Sequence, residues 1–274
     1  MKSAKFLFVL SLLSVFSTGF LFALNPSRVY KQLPDKFNMI YEETKVTTSD
    51  GALLTVWDFP ANVKTTKLVL ISHNGEGNMA DYLRMVDQFT SIGYNVVTFD
   101  YRGFGTSSEF AIDNNMYIYP HFQDDMKAMI DFCRVNKVAK FYMYGWGIGA
   151  GLSLGIGYNR PEVQKIIADS PFLSMEDLEN RFSKSDAPME VPFAGYDKKF
   201  EPINTFNEAP TPSLIGVLIL IGENDKFFSA KDMDLIAKKQ KKFTTVKVLP
   251  GGDGKDNFTP DKAAYFKIIR EFLG

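Results

Sequence analysis

The chain has 274 residues, a hydrophobic fraction of 45% and a formal net charge of −1, which suits one globular domain and is short for two. The near-neutral charge leaves no polybasic footprint, so nucleic acid is not expected as a partner. Cys133 is the single cysteine, which excludes an internal disulfide, and we expect it to be a thiol in the core.

Residues 1–24 have the pattern of a segment that directs a chain to a membrane. Lys2 and Lys5 precede an almost uninterrupted apolar run with no acidic residue, and the run is just long enough to span a bilayer. Cleavage after Gly19 or Ala23 would make it a signal peptide, whereas without cleavage it would be a membrane anchor. Either alternative predicts an exported or membrane-anchored protein, located in the periplasm or cell envelope of a bacterium.

Residues 25–42 contain two prolines and predict an extended linker, followed by a globular domain over residues 43–274. The domain opens with β-branched segments on either side of Asp50 and Gly51, a pattern typical of a hairpin. After the hairpin, short apolar runs alternate with amphipathic segments. The predicted strands are 44–49, 53–59, 67–72, 95–99, 140–144, 163–168, 214–221 and 244–249, and the predicted helices are 79–92, 121–136, 148–159, 230–241 and 260–272.

This alternation predicts an α/β fold with a mostly parallel, eight-stranded sheet and helices on both faces. Ligands of such sheets bind at the carboxyl ends of the strands. The irregular segment 170–212 follows a strand on that side and is too long for a simple connection, so it predicts a short cap insertion.

Five glycine-containing segments each follow a predicted strand. They are Ser72-His73-Asn74-Gly75-Glu76-Gly77-Asn78, Asp100-Tyr101-Arg102-Gly103-Phe104-Gly105, Gly145-Trp146-Gly147-Ile148-Gly149, Gly222-Glu223-Asn224-Asp225 and Gly252-Asp253-Gly254-Lys255-Asp256-Asn257. In this order the chain resembles the α/β-hydrolase superfamily, and in particular membrane-anchored serine hydrolases with a His-Gly-Asn oxyanion loop. The resemblance covers about residues 40–273.

The resemblance implies a Ser-His-Asp site in which two of three members are replaced by glycine. The nucleophile position of G-x-S-x-G is Gly147, the histidine position is Gly254, and the acid is retained as Asp225. Glycine carries no side chain and cannot form an acyl-enzyme. The nucleophile and the histidine base are therefore expected to be absent.

The same resemblance places an oxyanion loop and part of the pocket at His73, Asn74, Gly75 and Ile148. In the family the histidine of this loop shapes it through hydrogen bonds. Here the order Asn74-Gly75 is the reverse of the familiar Gly-Asn, and we expect a change in the backbone donors.

Two other residues offer alternative chemistry. Ser153 lies in Gly151-Leu152-Ser153-Leu154-Gly155, which also matches G-x-S-x-G, but a strand through the preceding glycines is unfavourable. We therefore expect Ser153 inside a helix that packs on the sheet. His121 follows a loop on the binding side and is an alternative base. No clustered metal-ligand spacing is present in the sequence, and no cofactor is expected.

Two functions follow as expectations. The first is a catalytically impaired α/β-hydrolase homologue, a pseudoenzyme of the cell envelope that acts as a binding or scaffold domain for a small apolar or ester-like ligand. The second is a divergent serine-type hydrolase, esterase-, lipase- or peptidase-like, that uses Ser153, or His121 with an activated water, on a small ester or amide.

Overall fold

An eight-stranded sheet forms the centre of the molecule. Its strands are β1 Glu42–Thr47, β2 Leu53–Phe59, β3 Leu68–Ser72, β4 Asn95–Phe99, β5 Phe141–Trp146, β6 Val163–Asp169, β7 Gly216–Gly222 and β8 Thr244–Leu249. The order across the sheet is β8-β7-β6-β5-β3-β4-β2-β1. Only the pairings of β2 with β1 and with β4 are antiparallel. The predicted fold class is confirmed.

The structure, a computed structural model, describes residues 24–137, 140–185 and 188–274. Apart from Leu24, the apolar run predicted as a signal peptide or anchor lies outside these ranges. Within them, every helix is too short or too polar to cross a bilayer.

Seven helices are found in these ranges, and two predicted helices change geometry along their length. The helices are α1 Leu83–Ser91, α2 His121–Asn136, α3 Ile148–Leu152, α4 Met175–Phe182, α5 Pro202–Thr205, α6 Ala230–Ala237 and α7 Lys262–Leu273. A 3₁₀ turn over Met79–Tyr82 precedes α1, and a π-helical turn over Ser153–Gly157 follows α3. Gly155 in that turn meets the Phe200 carbonyl so closely that a Cβ there would overlap with it.

Successive side chains along the strands point to opposite faces of the sheet and pack into two separate apolar cores. In β7, Val217, Ile219 and Ile221 face one core, and Leu218 and Leu220 face the other. The first core packs against α2, where the thiol of Cys133 is fully buried, and the second packs against α1 and α7. This two-sided burial explains why β7 is a continuous apolar run rather than an alternating one.

Residues 24–30, which we call the strap, are paired with the domain although the sequence predicts a linker there. Asn25–Pro26 forms a short parallel pair with Glu76–Gly77, and a 3₁₀ turn follows at Pro34–Phe37. The irregular segment 170–212 is likewise partly helical, since it contains α4 and α5.

Arg102 ties the first hairpin to α2. Its Nε and Nη2 donate to Asp125 Oδ1 at 2.9 and 2.7 Å, and its Nη1 donates to Asp50 Oδ2 at 2.5 Å. Asp125 is completely buried. A buried ion pair is costly to break because the remaining charge is left without a partner.

We therefore expect Asp125→Ala to lower the free energy of unfolding by about 3–5 kcal/mol. The matched control is Asp131→Ala on the same helix, whose carboxylate is half exposed and pairs with Arg160; it should cost less than about 1 kcal/mol. Urea denaturation of both variants measures the difference. Equal losses would contradict the buried role of Arg102.

Candidate functional site

Gly147 forms a sharp bend between β5 and α3. Its backbone angles are φ 55° and ψ −117°, in a region that glycine adopts far more readily than other residues. Its N–H donates to the Asp169 carbonyl at 2.9 Å, and its carbonyl accepts from the Gly151 N–H at 3.1 Å. The position that the sequence aligns with a nucleophile therefore lies at the strand-to-helix turn where such a nucleophile is held.

The two neighbouring glycines allow three backbones to meet at this bend. A Cβ on Gly145 would overlap with the Gly149 carbonyl, and a Cβ on Gly149 would overlap with the Ser72 carbonyl at the end of β3. The spacing Gly-x-Gly-x-Gly is thus explained by contact between β3, β5 and α3, without reference to catalysis.

Asn74 occupies part of the space next to the bend. A Cβ built on Gly147 would lie 3.1 Å from Asn74 Cβ, which is closer than normal packing allows. The reversed order Asn74-Gly75 and the glycine at 147 are therefore sterically compatible with each other. A serine at 147 would require Asn74 to shift.

The N–H groups of the predicted oxyanion loop are already used within the loop. The Asn74 N–H donates to the Tyr82 hydroxyl at 2.9 Å, and the Gly75 N–H donates to His73 Nδ1 at 3.2 Å. Ile148, as the first residue of α3, has no intrahelical acceptor for its N–H. Of the donors expected around an oxyanion, the N–H of Ile148 is the one that is not bonded within the loop.

His73 lies in the core beneath this loop rather than in a position to act as a base. It is fully buried between the rings of Tyr101 and Phe104, and burial lowers its pKa to about 3. Since Nδ1 accepts from Gly75, the proton of the neutral ring is on Nε2, which lies 3.7 Å from Asp100 Oδ1. His73 is a neutral group that holds the loop.

Asp225 and Gly254 lie in direct contact. A Cβ on Gly254 would come within 2.6 Å of the Asp225 Cγ, and the φ of Gly254 is +83°. Asp225 Oδ1 accepts from the N–H groups of Phe227 and Phe228 at 2.8 and 2.9 Å. A histidine at 254 would require the Asp225 carboxylate to shift and would be strained at this φ, so the Asp225 side chain closes the position in this structure.

The other oxygen of Asp225 is left without a hydrogen-bond partner among the described residues. Burial raises the pKa of this carboxyl, while the nearby Ser170 hydroxyl lowers it without completing a bond of normal geometry. Asp225 is retained at the acid position, but its own loop binds it instead of an imidazole.

Neither Ser153 nor His121 is placed to replace the missing nucleophile or base. Ser153 is buried, and His121 is exposed. Ser153 is fully buried in the π-helical turn, where its Oγ lies 3.2 Å from Ser72 Oγ. His121 is exposed at the first residue of α2, and its ring lies 4.9 Å from that of Phe110. Among the described residues, neither side chain hydrogen-bonds to the other or to Asp225.

A polar network around Asp169 was missed by the sequence analysis. Asp169, the last residue of β6, accepts from Asn257 Nδ2 at 2.6 Å and from the Tyr265 hydroxyl at 2.7 Å, and Tyr265 in turn lies 2.8 Å from the Tyr144 hydroxyl. Burial raises the pKa of Asp169 to about 6. The only sequence signal was an aspartate at the carboxyl end of a central strand.

Two adjoining cavities open beside Trp146. One has a volume of about 360 Å³ and reaches Tyr82, Asp169 and Phe258, and the other has about 640 Å³ and reaches Asn74 and the strap. Both volumes fall in the range of small-molecule sites. Neither cavity has a lining residue from 170–212, the segment predicted to form a cap.

Known proteins with similar sequence or structure agree with this architecture. The sequence profile of a family described as "Serine aminopeptidase, S33" matches residues 63–190, which is a little under half of the chain. An esterase of Pyrococcus furiosus, Pf2001, superposes with a TM-score of 0.72 at 20% identity, over 92% of this chain and 97% of that one. The chain has the α/β-hydrolase fold, and its sequence is similar to a hydrolase family over residues 63–190.

Two relatives found by sequence have names that state no activity. The Escherichia coli O157:H7 protein named "Uncharacterized protein YfhR" is 25% identical over 230 residues, covering 80% of this chain and 75% of the relative. The yeast "Uncharacterized membrane protein YNL320W" is 25% identical over 151 residues, covering 54% of this chain and 52% of the relative. The names of these relatives do not distinguish a silent site from an active one.

The contact between positions 147 and 74 predicts that substitutions at these two positions have non-additive effects on the free energy of unfolding. Gly147→Ser should lower the free energy of unfolding by about 1–3 kcal/mol because of its backbone angles and the contact with Asn74 Cβ. Asn74→Gly removes that Cβ and should recover about 1 kcal/mol of this loss in the double variant. Denaturant unfolding of the four proteins of the cycle measures it.

Asn74→Ala is the matched control, because it removes the amide but keeps the Cβ. Its cycle with Gly147→Ser should show no coupling. Equal coupling for Ala and Gly at position 74 would show that the close contact does not determine the cost.

Asp100 predicts a pH dependence of stability. Burial raises its pKa to about 7, although the Tyr30 hydroxyl and the Met79 N–H both donate to it at 2.7 Å. The folded protein keeps this proton at pH values where the unfolded chain has released it, so the stabilisation is complete near pH 4 and is lost as the pH rises through 7.

We therefore expect Asp100→Asn to gain stability relative to the natural protein between pH 5 and pH 8, by about 3 kcal/mol. Unfolding free energies of both proteins at the two pH values measure this change. Because the other buried carboxyls, Asp125 and Asp169, are present in both proteins, their titration cancels. A difference that does not vary with pH would contradict the raised pKa.

Proposed function

We propose that this protein is a catalytically silent α/β-hydrolase homologue that acts as a binding or scaffold domain. The observation that carries the proposal is the bend at Gly147, where the position of an attacking atom holds no side chain. The contact between Gly254 and Asp225 supports it, because the position of the base is closed as well.

The transition-state stabilisation that is lost without a nucleophile and a base supports the same proposal. Loss of a triad nucleophile typically costs about 10⁶-fold in turnover, and loss of the base adds little because these groups act as a unit. At about 1.4 kcal/mol for each factor of ten, relocated groups would have to supply on the order of 8 kcal/mol. Buried Ser153 and exposed His121 do not form a pair that could do so.

The two cavities beside Trp146 support a binding role. Their shared wall is formed by Asp81, Tyr82, Trp146 and Lys255, and the smaller cavity adds Leu83, Met85 and Phe258. Aromatic and aliphatic walls with a few polar groups are typical of small-molecule sites. We propose a small ligand with an apolar or ester-like part in contact with Trp146.

We further propose attachment to a membrane at the cell envelope. The apolar composition of residues 6–24 after Lys2 and Lys5 supports this placement, and the yeast relative is named a membrane protein. The competing placement is an exported protein from which the apolar run has been cleaved.

Reaction with a fluorophosphonate probe tests the silent site. We expect no covalent adduct on the natural protein by intact mass, since a probe that reacts with activated serines finds none at the bend. Turnover of p-nitrophenyl acetate should be the same for the natural protein and Gly147→Ala. An active serine hydrolase of similar fold serves as the positive control for the probe.

Ser153→Ala is the control variant that separates the two functions. If the natural protein is labelled and Ser153→Ala is not, the chain is a divergent serine hydrolase and the proposal is overturned. Labelling that persists in Ser153→Ala but disappears in another serine variant would overturn it equally.

A further inference from the structure

The strap passes directly beside the bend at Gly147. The Asn25 N–H donates to the Gly75 carbonyl at 2.9 Å, and the Ser27 N–H donates to the Gly77 carbonyl at 2.8 Å. Leu24 is buried, and its side chain meets the Cα region of Gly75 together with Ile148. The first described residue of the chain is therefore packed on the residue that follows Gly147.

The strap is fixed along its whole length. The Gly105 N–H donates to the Ser27 carbonyl at 2.9 Å, and Asn78 Nδ2 donates to the Ser27 and Val29 carbonyls at 3.2 and 3.0 Å. At its end the Tyr30 hydroxyl donates to the buried Asp100 at 2.7 Å. Because the strap is bound to the domain from Leu24 onward, no unattached linker separates the domain from the apolar sequence before Leu24.

This anchoring limits the distance between the apolar run and the larger cavity. Four consecutive residues of the strap, Asn25, Pro26, Ser27 and Arg28, line that cavity. An extended chain spans at most about 3.5 Å per residue, so this part of the cavity wall lies within about 14 Å of the end of the run. A chain leaving a bilayer at Leu24 would place the cavity at the bilayer surface.

The basic side chains that line the larger cavity are suited to the surface of an anionic bilayer. Arg28, Lys31 and Lys255 line it, and none of the three forms an ion pair with a carboxylate within the described ranges. Two carboxylates, Glu76 and Asp81, line it as well. Basic groups beside a membrane anchor are attracted by anionic lipid headgroups.

We propose that the candidate site opens onto the headgroup layer of an anionic membrane, and that its ligand reaches it from that layer as an amphiphile. The inference rests on the membrane attachment proposed above. It adds that the carboxyl edge of the sheet faces the bilayer, whereas the amino ends of the parallel strands face away from it.

Two variants of the full chain, each with one introduced cysteine, test this orientation. Cys133 is fully buried, so cysteines introduced at exposed positions can be labelled selectively with a fluorophore. Lys31→Cys lies on the cavity wall. Lys64→Cys is the matched control, since Lys64 is also exposed but precedes β3 at the amino end of the parallel strands.

Both proteins are reconstituted into vesicles of phosphatidylcholine and phosphatidylglycerol that carry a headgroup-level quencher. We expect strong quenching at position 31 and little at position 64. Equal quenching at the two positions, or none at either in protein that floats with the vesicles, overturns the orientation and leaves the attachment intact.

Protein that fails to float with the vesicles overturns the attachment and this inference together. The silent site is tested separately by the fluorophosphonate probe, so failure of one proposal can be distinguished from failure of the other. Protein that floats but shows position 64 as the quenched site would place the opposite end of the sheet on the membrane.

Discussion

Close contact between backbones at the carboxyl end of β5 is the constraint on which the site depends. Gly149 lies against the Ser72 carbonyl, and Gly145 lies against Gly149, with no room for a Cβ at either position. This contact sets where β3 ends, where α3 begins and how sharply the chain turns at Gly147. The bend is thus maintained by packing, and it persists in a chain whose bend carries no reactive group.

Several features of the site fit an altered use of an inherited scaffold. Asn74 fills space beside Gly147, the backbone at Gly254 closes on Asp225, and the amides of Asn74 and Gly75 are bonded within their own loop. Each feature supports the silent site that we propose. The cavities beside Trp146 remain open, and the binding role that we propose for them requires no reactive side chain.

The sequence predicted the fold well because apolar periodicity and glycine placement are local signals. The bounds of β4, β8 and α2 are very close to the predicted ones, and the G-x-G-x-G segment located the bend. Those signals depend on residues that are near each other in the chain, so a single sequence is sufficient to read them.

Other features depend on long-range contacts and could not be predicted. The closure of Gly254 on Asp225 requires knowing how two loops approach, and the pairing of the strap with Glu76–Gly77 joins segments about fifty residues apart. Two prolines suggested a linker, but a parallel pair of two residues gives no sequence signal. The cavities beside Trp146 are likewise products of tertiary packing.

The Asp169 network has a consequence for the way this domain assembles. The Tyr265 hydroxyl on α7 meets Asp169 and Tyr144 across sequence separations of 96 and 121 residues. Contacts of such range form slowly, because a long loop must close before they are gained. The network is therefore complete only when α7, near the end of the described chain, has packed against β5 and β6.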